Sequence, residues 1–164
     1  MSVLFGADFP DIVMLDIDDQ PRSSAFNGGI EGRAARISSR WNLGDCLVVL
    51  SSLDRSSVSY HLVYDRILPW LAIHSIIIQL AREGKIDENL ARLSYGRGDL
   101  TLRLSPDRAN GRMAPFPIGY VMGNRAVKGY RGGGIRKWLE AWRIAKKISF
   151  ISPISSQEAR IARK

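Results

Sequence analysis

The run Gly129-Tyr130-Arg131-Gly132-Gly133-Gly134, followed by Ile135-Arg136-Lys137, has the composition of an anion cradle. Successive backbone N–H groups in a glycine-rich turn form a concave nest, and the start of a following helix adds its positive dipole end. Arg125, Lys128, Arg131, Arg136 and Lys137 can converge there, and Arg143, Lys146 and Lys147 continue the charge along the helix. A phosphodiester backbone is the natural ligand for such a surface. The spacing is not a Walker A loop, because no Gly-Lys-Ser/Thr follows, and no clear strand precedes it as a dinucleotide fingerprint requires.

Trp138 and Trp142 stand four residues apart on the apolar side of this basic helix. That spacing is what a core-facing stripe needs. In a nucleic-acid reading Trp138 and Tyr130 are the stacking candidates, and at a lipid interface the tryptophans would anchor the helix. Tyr95-Gly96-Arg97-Gly98, Arg103, Arg108 and Arg112 put further arginine and tyrosine beside glycine, as ordinary solvated loops also do. Asp16, Asp18 and Asp19 follow an apolar strand, where a carboxylate cluster holds Mg²⁺ for phosphoryl chemistry in some enzymes. No second acidic cluster of recognisable spacing accompanies them, so the expectation is a solvated turn and no metal. His61 and His74 are the only histidines. No HExxH, Cys/His ligand set or Gly-x-Ser-x-Gly elbow is present, so the expectation is no enzyme and no cofactor. Cys46, the single cysteine, lies in an apolar run and reads as a buried, inert thiol.

The elements that would position these residues can be read from periodicity. Residues 12–15 form a short buried strand ending in an acidic turn at 16–21, and residues 21–35, with Asn27-Gly28-Gly29, read as loop. Residues 46–64 predict a hairpin, with Val58, Tyr60, Leu62 and Tyr64 on one face and Ser59 and His61 on a polar one. Residues 68–83 predict a central apolar helix with Ile73, Ile76, Ile77 and Leu80 buried, started by Pro69 and stopped by Gly84. Asp87 caps a short helix that Gly96 ends. Residues 100–104 alternate as a strand, and Pro115 and Pro117 confine residues 116–122 to a sheet edge or a loop. Residues 135–147 predict the basic amphipathic helix. Ser155-Ser156-Gln157-Glu158 is a capping box, which starts a separate short basic helix or tail at 153–164. Strands and helices mix without βαβ regularity, which gives a single α+β domain over 1–164.

The whole composition sets the partner. The chain has 164 residues and a net charge of +8. Residues 1–20 carry five acids and no base, whereas residues 101–164 carry fourteen bases against three acids. Such asymmetry predicts a polyanionic partner, with the acidic segment 1–20 covering part of the basic surface or meeting a second copy in a homo-oligomer. The start has no basic n-region and no long apolar core, and residues 67–81 are too short and too polar to span a bilayer. The expectation is an intracellular protein, cytoplasmic, nuclear or virion-associated. The reading favoured is a non-enzymatic nucleic-acid-binding protein that prefers RNA or single strands, since no helix-turn-helix, zinc finger or basic zipper is legible. The alternative is a peripheral membrane or viral matrix-like assembly protein meeting anionic lipid through the Trp-containing helix. A metal-dependent nuclease or phosphotransferase using Asp16 and Asp18 comes third.

Overall fold

The computed structural model describes residues 6–21, 29–53, 57–104 and 112–161. The predicted hairpin is the centre of the molecule. Its strands β3 (Cys46–Leu53) and β4 (Ser57–Ile67) pair antiparallel. On the far side of β4 runs β2 (Ile12–Pro21), and on the far side of β3 runs β6 (Phe116–Val121). The four-stranded sheet thus has the order β2-β4-β3-β6, with the proline-bearing strand at an edge as expected. A two-stranded ribbon joins β1 (Gly6–Phe9) to β5 (Leu100–Arg103).

Register assigns the two faces of the sheet. Leu15, Leu62 and Val48 are aligned across three strands, and so are Asp16, His61 and Val49. The first face is covered by α1 (Gly29–Trp41), which buries Ile30, Ala34 and Ile37 and accepts a hydrogen bond from the Tyr64 hydroxyl at the Ala34 carbonyl, 3.2 Å away. The second face, which carries His61, Val63 and Asp65, receives the start of α4 (Gly134–Ile161). His61, expected on a polar face, is only 2% exposed.

The remaining helices are α2 (Trp70–Arg82) and α3 (Glu88–Arg97), the latter capped by the Asp87 carboxylate on the Asn89 N–H. Ile73, Ile76, Ile77 and Leu80 are buried as predicted. The molecule is therefore a single α+β domain with a four-stranded antiparallel sheet and, among the described residues, four helices.

Three sequence expectations are corrected. The second half of the presumed loop at 21–35 is the first turns of α1, because Ile30, Ala34, Ile37 and Trp41 share one helical face that the sheet can bury. The acidic turn at 16–21 is instead the end of β2, extended because β4 is long enough to pair with it as far as Pro21. The basic helix does not stop at 147 but runs unbroken to Ile161, so the Ser155 capping box starts nothing new. The side chains of 149–161 and the residues 162–164 lie outside the described part.

Candidate nucleic-acid interface

The glycine-rich loop is built around an anion that the chain itself supplies. The Asp65 carboxylate, at the end of β4, accepts from the Gly133 N–H at 3.1 Å and the Ile135 N–H at 3.4 Å. Its other oxygen accepts from the Tyr130 hydroxyl at 3.0 Å. The positive end of α4 is thereby neutralised from within. Gly134 passes so close to β4 that a Cβ there would run into the Tyr64 carbonyl. Gly44, at φ +73°, lies directly under the Tyr130 hydroxyl, where a side chain would overlap the phenol. Burial first and Asp65 second push the Tyr130 phenol above its usual range. The loop packs α4 onto the sheet, and its nest is not open to a foreign anion.

The predicted site residues divide accordingly. Trp138 is fully buried, which overturns its assignment as a stacking platform: the apolar stripe of α4 is the core stripe. Trp142 lies half-buried beside it, with ring centroids 6.3 Å apart, and donates its indole N–H to the Pro115 carbonyl at 2.7 Å. Tyr130 is half-buried, with its hydroxyl held by Asp65. Arg125 is clamped on the buried Asp45 carboxylate, which also accepts from the Tyr120 hydroxyl and, at 2.9 Å, the Gly123 N–H. Burial works to raise the Asp45 pKa, but these donors outweigh it and leave the carboxyl below its usual range. Lys137 pairs with Asp11 at 2.5 Å. One acid of the N-terminal segment, Asp11, thus meets one base of α4 within the same chain. Lys128, Arg131, Arg136, Arg143, Lys146 and Lys147 remain exposed, with the Lys146 ammonium over the Trp142 ring at 5.1 Å.

A concave basic surface does exist, on an element the sequence reading missed. Arg33, Arg36 and Arg40 recur at helical spacing along α1. Together with Trp41 and Lys85 they line a groove of about 210 Å³. Arg40 forks both guanidinium nitrogens onto Glu83 at 2.8 Å and lies 4.4 Å from the centre of the Trp41 ring. Glu83 also receives Lys85 at 3.1 Å. Arg40 first, and Lys85 after it, lower the Glu83 pKa to about 2, so that carboxylate is ionised at any working pH. One carboxylate among four cations leaves the groove positive, and the flat guanidinium on the indole is a ready stacking surface. The signal in the sequence was the arginine spacing itself, obscured by the glycines at 28, 29 and 32.

The acidic cluster resolves differently again. Asp16 aligns with His61 across β2 and β4, with Oδ1 3.4 Å from Nε2. Burial first and Asp18 second raise the Asp16 pKa to about 7, while burial lowers that of His61 to about 3. The imidazole is neutral well above about pH 3, so the two do not form an ion pair near neutral pH, and Asp16 Oδ1 has no hydrogen-bond partner. Among the described residues no three carboxylate, imidazole or thiol groups come together as metal ligands. Asp19 and Arg108 carry no described side chain. Cys46 is buried, and burial pushes its thiol up to about 12, which makes it inert as expected.

Compared with protein-family models, with curated proteins and with solved structures, the chain matches none of them. No helix among the described residues is long and apolar enough to cross a membrane.

Proposed function

We propose that this chain is a non-enzymatic, single-stranded nucleic-acid-binding protein, preferring RNA, whose phosphate-contacting surface is the α1 groove. The observation that carries the reading is the groove: a basic concavity with an aromatic wall, lined by Arg33, Arg36, Arg40, Trp41 and Lys85. Concavity lets several cations reach one backbone, and the Arg40–Trp41 stack offers a π-face that any base can use. A basic flat helix alone would not distinguish a polynucleotide from other polyanions.

The test is fluorescence anisotropy with a labelled single-stranded RNA. Neutralising Arg33→Gln and Arg36→Gln together should weaken binding by about 1–3 kcal/mol while leaving the unfolding midpoint unchanged, because exposed charges add little to stability. Wild-type affinity in that variant rejects the groove as the site.

A second reading rests on α4. Ile144 and Ile148 are 59% and 39% exposed, beside Arg143 and Lys147. Apolar residues standing among cations suit an anionic lipid surface. Sedimentation with vesicles that contain or lack anionic lipid checks it directly.

A further inference from the structure

A second cavity, separate from the α1 groove, opens on the opposite face of the sheet. It measures about 240 Å³, below the range of roughly 300–1,000 Å³ that drug-sized ligands occupy. Three strands of the sheet supply its floor through Asp16, His61 and Ser51, and the rim carries Asp18, Arg103 and Arg112. His61 is 2% exposed, yet its Nδ1 has no hydrogen-bond partner, and neither has Asp16 Oδ1, which lies 3.4 Å from His61 Nε2. Both atoms are inaccessible, and buried polar atoms are ordinarily hydrogen-bonded. Both residues line the cavity, so a ligand bound there would lie beside them.

We propose that this cavity is a binding site for a phosphate group, either free phosphate or the terminal phosphate of an ester. Its chemistry selects that class. The floor offers an imidazole with one donor and one acceptor nitrogen, a carboxyl group and serine hydroxyls. A singly protonated phosphate both accepts and donates, so it satisfies either tautomer of His61 and the carboxyl of Asp16 at once. Arg112, exposed at the rim, supplies the countercharge, and a guanidinium can donate two N–H groups to one phosphate. Arg103 is oriented by donating to the Met113 and Ser51 carbonyls, both at 2.7 Å, which fixes its charge beside the cavity. The groups that act on Asp16 are Asp18 from its own strand, His61 from β4, Arg103 from β5, Arg112 ahead of β6 and Asp87 at the start of α3. An anion bound over this set favours the protonated Asp16, so binding takes up a proton. The nucleic-acid reading is not needed for this site, because the groove and the cavity share no residue.

Isothermal titration with inorganic phosphate at about pH 6 tests occupancy, and titration with sulfate, which does not ionise in this range, tests the proton linkage. Sulfate affinity should be constant below about pH 7 and fall about tenfold per pH unit above it. Asp16→Asn should keep sulfate binding and abolish that slope, and Arg112→Gln should weaken phosphate binding at least tenfold. A 5′-phosphorylated RNA dinucleotide that binds more tightly than both inorganic phosphate and its 5′-hydroxyl form identifies a nucleic-acid end. Equal affinity for dinucleotide phosphate and inorganic phosphate identifies the free ion. Absence of phosphate binding to the wild-type chain, or a wild-type pH slope in Asp16→Asn, overturns the proposal. Should Asp16→Asn fail to fold, the wild-type sulfate profile decides alone, since a flat profile contradicts proton uptake.

Discussion

Desolvation shifts Asp16 and His61 in opposite senses. The folded chain holds a proton on Asp16 up to about pH 7, whereas its ordinary value is 3.8. Between those values the native state binds more protons than the unfolded one, so the Asp16 share of stability falls as the pH rises. His61 titrates at about 3 in place of 6.5. Between those values the unfolded chain gains a proton that the native chain refuses, so the His61 share falls as the pH drops. From about pH 4 to about pH 6.5 the pair holds one proton in either state, and the two slopes cancel. Separating the pair should expose each slope. His61→Gln should lose stability as the pH rises from about 4 to about 7, and Asp16→Asn should lose it as the pH falls from about 6.5. Each slope should approach about 1.4 kcal/mol per pH unit, read from urea unfolding midpoints. Parallel slopes in the two variants would show that the groups do not titrate as a neutral pair.

Among the elements, α4 owes its position to a cap borrowed from β4. Asp65 satisfies two N–H groups at the helix start and one phenol, and each would otherwise face a covered strand end. Asp65→Ala should therefore cost about 1–2 kcal/mol in thermal or urea unfolding and leave RNA affinity unchanged. Loss of RNA binding without loss of stability would return the glycine loop to the functional surface. This contact also marks where sequence reading ends. The hairpin, the α2 core, the strand at 100–104 and the start of α4 are legible because their apolar periods are local. The partner of the glycine-rich loop is not, because Asp65 lies 68 residues before Gly133 and nothing at either position names the other. An empty nest and a nest filled by the chain's own carboxylate look identical in sequence. Helix α1 was hidden by glycines that local propensity assigns to turns. The sheet face it covers stabilises it regardless, since packing overrides propensity of that size. The acids of β2 read as turn residues for the same reason, and pairing with β4 holds them extended.

For the molecule as a whole, the charge asymmetry is less lopsided in space than along the chain. The C-terminal excess is partly cancelled by Asp11, Asp45 and Asp65, all from earlier segments, while α1 brings three arginines from the first third. Positive surface therefore occurs on both sides of the sheet: the α1 groove over one face, and the exposed residues Arg136, Arg143 and Lys147 of α4, which packs against the other. A single strand that uses both must wrap the domain, and one that uses the groove alone need not. Salt dependence separates these cases. Each phosphate contact contributes about −0.7 to the slope of log K against log salt for single strands, so four to six contacts give roughly −3 to −4. Neutralising Arg33 and Arg36 should reduce the magnitude of that slope by about 1.4. Neutralising Arg136, Arg143 and Lys147 should reduce it by up to about 2 if the strand wraps, and the two sets should then add, being far apart and without shared partners. If the α4 set changes neither slope nor affinity but abolishes binding to anionic vesicles, that helix is a lipid-facing surface and the groove carries the nucleic acid alone. A flat salt titration of the wild-type chain would remove the phosphate backbone as the ligand of either surface.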